Sequence, residues 1–354
     1  VHLDLKRQLG IEDLICAANG KKIWDAARDV LHRPEMRPQA LLKRMNVEAM
    51  GSTDDPVDTL EHHRRLQDSP LAGVVRPTFR PDKAMNIHAP EWRDYIRSLG
   101  ERTGTRIASL PDLVAALRQT HDFFAENGCV ASDHGVEVPY GFSVPEEDAA
   151  AIFKKALDGK EITPQERIAY MAYLLHAVAE MDAVKGWVFQ LHIGAVRNVR
   201  DSLFDRIGPD SGGDVSDHRI DIVTPLRDFL NRFDGRLKVV LYCLEPGHQS
   251  TLAALTRAFG RDVNLGAAWW LNDSPIGMKR QLEYVGTVDV LLNMAGMVSD
   301  SRKLLSYGSR NEMFRRVLAD VLGQLVERGQ VPLRLAERMA EELSYSRPKA
   351  FFGL

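Results

Sequence analysis

The chain of 354 residues has only three cysteines, Cys16, Cys129 and Cys243, widely separated and without CxxC spacing. Such scarcity argues against a disulfide framework or a cysteine-rich zinc site, and a reducing cytoplasm fits it. A surplus of basic charge is lacking too. The 46 Lys and Arg face 49 Asp and Glu, for a formal net charge of -3, and the two signs are interleaved. With no basic face to release counterions, nucleic acid is not an expected partner, and with no polybasic segment neither is a membrane surface. No apolar run approaches the roughly 20 residues of a membrane span, and the opening VHLDLKRQ lacks the apolar core of a signal peptide. The chain also begins without Met. What remains, 44% hydrophobic and 27% charged residues, is the balance of a globular protein with a large core.

From about residue 45 onward, short apolar runs alternate with longer amphipathic stretches, the pattern of βα units around a parallel sheet. The spacing predicts strands over Asn46–Gly51, Val74–Phe79, Cys129–Asp133, Trp187–His192, Lys238–Leu244, Asn264–Trp270 and Val288–Met294. Helical periodicity fills the intervals, as in Leu110–Asn127 and Pro164–Met181. A closed (β/α)₈ barrel of the TIM type needs eight strands in about 250 residues. Seven in a longer chain predict a distorted barrel that lacks its first strand. The whole of 1–354 reads as a single barrel domain, with 1–45 a helical segment before the second barrel strand and 145–162 an inserted loop.

In such a barrel the chemistry gathers at the C-terminal ends of the strands. Those ends are consistently polar here: Arg-Pro-Asp-Lys (80–83), Ser-Asp-His-Gly (132–135), Gln-Leu-His-Ile-Gly (190–194), Trp-Trp-Leu-Asn-Asp (269–273) and Ser-Asp-Ser-Arg (299–302). Asp54-Asp55-Pro56 reads as a helix start, which would put His62 and His63 on its second turn, with at least one of them on a solvated face. His192 ends an apolar strand, and Gly194 stands two residues on, which suits an imidazole held rigidly toward the barrel mouth. Asp300 and Arg302, at i and i+2 on an extended segment, would share one side and combine a metal or base role with an anion role. Arg80 reads equally as a second anion clamp and as a partner of Asp82. Trp269 and Trp270 offer an aromatic face to a sugar ring, although alternation lets only one face the barrel.

The stretches TDDPVDTLEHH, RPTFRPDKA, HDFFAENGCVASDHG, QLHIGAVRN, AAWWLNDSPIGMKRQLE and MVSDSRKLLSYGSRNEMFRRVL span almost the whole chain. Together they resemble the uronate (glucuronate) isomerase family of the amidohydrolase superfamily. The resemblance implies interconversion of D-glucuronate with D-fructuronate, and of D-galacturonate with D-tagaturonate, with a bound zinc. It implies a small uronic acid as the partner molecule and leaves room for a homo-oligomer. Carried over, Asp300 is the strand-eight aspartate, Arg302 the accompanying arginine and His192 the strand-five histidine. Asp300 and His192 would be metal ligands, Asp300, His192 and Arg302 catalytic, and Arg80, Arg302, Trp269 and Trp270 substrate-binding. Two departures stand out. In the family a first strand ending in His-x-His precedes the stretch at VHLDLKRQLGI, and no His-x-His occurs here; Asn311 stands where the family has His after Arg.

Aldose–ketose exchange moves a proton between neighbouring carbons through an enediolate. Arg302 and Arg80 suit the carboxylate or a developing oxyanion, a zinc would polarise the oxygens, and Asp300 is the leading base. Two alternatives stay open: a zinc-dependent hydrolase on the same scaffold, and a barrel that only binds.

Overall fold

The structure is a computed structural model that describes residues 1–354. Eight strands form, β1 Met50–Gly51, β2 Val75–Arg76, β3 Ala131–Val136, β4 Val188–Ile193, β5 Ala195–Val196, β6 Val215–Ser216, β7 Lys238–Cys243 and β8 Val263–Leu265. β3, β4, β7 and β8 make one parallel sheet in that order, and β1 pairs with β2 in parallel. Two single bridges extend the series: Phe79 with Ser132 joins β2 to β3, and Leu265 with Met294 adds a seventh position beyond β8. The chain is thus an α/β fold built on parallel strands, with helices as the connections. β5 and β6 are an antiparallel pair that closes an excursion of the chain directly after β4.

The two faces of the sheet are built from alternate residues, as the pleat requires. Phe189, Leu191, Ile193, Val239, Leu241 and Cys243 point outward into the large core beneath the helices. Ala131, Val188, Val240, Tyr242 and Leu244 point the other way, into a smaller inner core completed by Trp269, Ala295 and Phe351. Phe351 comes from the far C-terminal helix Arg347–Phe352, and its carbonyl accepts from Lys238 Nζ at 2.8 Å. The long outer helices start where the sequence supplies capping boxes: Ser109 with Asp112 opens Leu110–Glu126, and Thr163 with Glu166 opens Pro164–Lys185. Each box satisfies amides that would otherwise lack partners and is worth about 0.5–2 kcal/mol.

Three expectations change. Val288–Met294 is not a strand. Asp289 accepts from Val290 N and from Asn293 Nδ2, which turns the chain into the 3₁₀ turn Leu291–Asn293 and leaves Met294 alone to pair. Residues 145–162 are more than a loop: Glu146–Leu157 is a helix that buries Ala149, Ile152, Phe153 and Ala156. No helix starts at Asp54, because its carboxylate is taken by Ser52 Oγ at 2.7 Å and Thr78 N at 3.3 Å, and the helix begins at Glu61. His63 is accordingly buried against Ser52 Oγ, while His62 is exposed.

Candidate active site

β3 and β4 run side by side with Gly135 opposite His192, and β4 and β7 with His192 opposite Tyr242. That register puts Asp133, His192 and Tyr242, one from each of three strands, on the inner face. His192 lies parallel to Tyr242, with ring centroids 4.4 Å apart and 1° between planes, and Trp269 meets it edge-on at 4.7 Å. Gly266 makes this stack possible, since a Cβ there would fall on the Tyr242 ring. The His192 Nδ1 bonds Asp133 Oδ1 at 2.5 Å, while Nε2 stays free of hydrogen bonds within the chain.

Asp133 is 8% exposed and its second oxygen accepts from Arg80 Nη1 at 3.1 Å. Burial opposes its charge, but His192 and Arg80 outweigh burial and hold the carboxyl well below the usual carboxylate range. Arg80 also donates through Nε to Asp82 Oδ2 at 2.8 Å. For Arg80, burial again works against the charge, and the carboxylates of Asp82 and Asp133 more than offset it. Of the two sequence readings of Arg80, the structure shows the pairing with Asp82; its Nη2 runs beneath Gly135, where a Cβ would collide with it.

Asp300 is anchored from the other side. Trp269 Nε1 donates to Asp300 Oδ2 at 2.5 Å, so one tryptophan touches both His192 and Asp300. Asp300 has φ +40°, and the segment is not extended as the i, i+2 expectation required. Arg302 consequently turns away to the rim, 80% exposed, where its Nη2 lies 3.5 Å from Asp210. Trp269 is only 5% exposed and offers little open face. Trp270, with φ +51°, lies under the Arg197 guanidinium at 4.9 Å.

The structure thus brings His192, Asp300, Trp269 and Arg80 together and leaves Arg302 and Trp270 on the border. Sequence reasoning misses Asp133 and Tyr242. Only the strand register singles out Asp133 within Ser-Asp-His-Gly. Zinc, which the resemblance implies, needs three protein donors in a catalytic site. His192 Nε2 and Asp300 Oδ1 make two, and no group of three or more His, Cys, Asp or Glu side chains lies in position to hold a metal. The donor set in this chain does not fit the ion, and no step of the proposed chemistry is routed through one. A surface groove of about 810 Å³ lined by Arg93, Arg97 and Arg106 lies on the outer helices and shares no residue with this cluster.

Parallel strands with an acid, an imidazole and a guanidinium at their C-terminal ends define an enzyme-type α/β fold. The model of the glucuronate isomerase family matches residues 1–352, and the chain belongs to that family. Uronate isomerase of Thermotoga petrophila is 48% identical over 354 residues, all of this chain and 78% of the relative. Uronate isomerase of Bacteroides thetaiotaomicron is 36% identical over 99% of this chain and 77% of its own length. The crystal structure of uronate isomerase from Thermotoga maritima superposes with a TM-score of 0.96 at 48% identity, over 99% of this chain and 77% of that one. That of glucuronate isomerase from Caulobacter crescentus gives 0.94 at 28% identity, over 99% and 73%.

Proposed function

We propose that the protein interconverts aldose and ketose forms of hexuronates, D-glucuronate with D-fructuronate and D-galacturonate with D-tagaturonate. The observation that carries the proposal is the meeting of His192 and Asp300 on Trp269, which puts two proton-transfer groups beside one another at the strand ends. Asp300 Oδ1 takes the proton from the carbon next to the open-chain carbonyl and returns it to the former carbonyl carbon. His192 Nε2 exchanges the proton of the neighbouring oxygens, so the enediolate never carries a full free charge. Arg302, exposed and loosely paired, swings onto the substrate carboxylate; Arg80 supplies a fixed positive charge beneath.

The same proposal extends to architecture and location. The seven parallel positions from β1 to Met294 support a distorted (β/α)₈ barrel, and three free thiols support the cytoplasm. No helix is long and apolar enough to cross a membrane. The test is to incubate the purified protein with D-glucuronate, with and without added divalent zinc, and follow the proton NMR spectrum. Ketose signals are expected; a spectrum unchanged under both conditions overturns the reading.

A further inference from the structure

We infer that Asp133 is the positioning residue of this site, one carboxylate that fixes the imidazole of His192 and the guanidinium of Arg80 at once. The inference rests on the isomerase reading only for its kinetic arm. Both Asp133 oxygens are committed, Oδ1 to His192 Nδ1 at 2.5 Å and Oδ2 to Arg80 Nη1 at 3.1 Å. An ionised carboxylate only accepts, so His192 must carry its proton on Nδ1. Tyr242 fixes the plane of the ring. Nε2 is then the nitrogen left with a free lone pair, or a proton to give, on the open side.

The direction of Asp133 is set from behind the sheet. Its neighbours Ser132 and His134 are fully buried on the outward face, and Asp182 of the helix Pro164–Lys185 holds Ser132 Oγ directly. Ser132 Oγ in turn lies 2.9 Å from His134 Nε2, and His121 Nε2 lies 2.8 Å from Asp182 Oδ1. β3 is pinned on that face, so the residue between them cannot roll away from His192 and Arg80. Gly135 completes the device by leaving Arg80 the space to pass.

An amide in place of this carboxylate has one accepting atom for two donors. Arginine has no lone pair to offer, whereas imidazole can change tautomer, so in Asp133→Asn the amide would keep its oxygen on Arg80 and turn its NH₂ toward His192. His192 would then hold Nδ1 bare and carry the proton on Nε2. The test uses the full chain, labelled with ¹⁵N-histidine, with the His192 signals identified by their loss in His192→Gln. Expected are a protonated Nδ1 in the wild type, a protonated Nε2 with bare Nδ1 in Asp133→Asn, and a fall in kcat of about 10²–10⁴-fold on D-glucuronate, as when an orienting carboxylate is lost elsewhere. Asp133→Glu, which keeps the carboxylate, should restore Nδ1 protonation and part of kcat. A bare Nδ1 in the wild type overturns the inference even if Asp133→Asn fails to fold. Wild-type kcat in Asp133→Asn overturns it as well. The NMR arm needs no turnover, so failure of the isomerase reading would show as an inactive wild type with the tautomer still as expected.

Discussion

Trp269 holds Asp300 through its indole N–H at 2.5 Å while its edge rests on His192, with centroids 4.7 Å apart. It orients the acid that would serve as base, a different role from a sugar platform. Trp269→Phe keeps the edge contact and removes the donor. A hydrogen bond to a charged group contributes about 1.5–3 kcal/mol, so kcat should fall by about 10–100-fold. Steady-state kinetics on D-glucuronate check this, and a change confined to KM would speak for the platform.

Asp300→Asn keeps shape and the Trp269 contact but removes the proposed base. Turnover should drop by about 10³-fold or more, because general acid–base catalysis contributes about 10²–10⁴-fold. Near-normal turnover with an intact circular dichroism spectrum would remove Asp300 from the mechanism.

Arg302→Lys should raise KM about tenfold or more, since an ammonium cannot reproduce the planar two-donor fork. The effect should be largest on KM because Arg302 stands at the rim, 80% exposed, away from the proton-transfer groups. Equal KM for the two proteins would place the substrate carboxylate elsewhere.

Gly266→Ala should destabilise the fold by about 1–3 kcal/mol, the cost of overpacking, because the new methyl group lands on the buried Tyr242 ring. Urea unfolding measures the loss. An unchanged midpoint would mean that Tyr242 shifts freely, and with it the stack on His192.

His134 is fully buried, and burial pushes its pKa down to about 3 from 6.5. A depressed folded pKa means that the unfolded chain binds the proton first. The stabilisation is therefore complete above pH 6.5 and is lost as pH falls from 6.5 toward 3, by about 1.4 kcal/mol per unit. Urea unfolding of wild type and His134→Gln between pH 7 and 5 should give a shallower slope in the variant; parallel slopes would contradict it.

The strand ends are legible in the sequence because burial on both faces makes β4 and β7 predominantly apolar, and each gives way to polar residues. His192, Asp300 and Arg80 emerge that way. Asp133 does not, since Ser132, Asp133 and His134 are three polar neighbours and only the pairing of β3 with β4 decides which one turns inward. Val288–Met294 resembles a strand for its valines and leucines, yet the side chain of Asp289 captures the local amides and curls the chain. Positive φ at Trp270 and Asp300 defeats simple alternation at two of the most informative positions.

Phe351 fills the inner core under residues that precede it by more than a hundred positions, as its bond to Lys238 measures, 113 residues apart. During synthesis the strands leave the ribosome long before the ring that seals them. At about 5–20 residues per second, the nascent sheet spends several seconds with Ala131, Val188 and Val240 open to water. That interval is when the polypeptide is most exposed to chaperones and to wrong partners. The last helix sets the clock on the completion of the site.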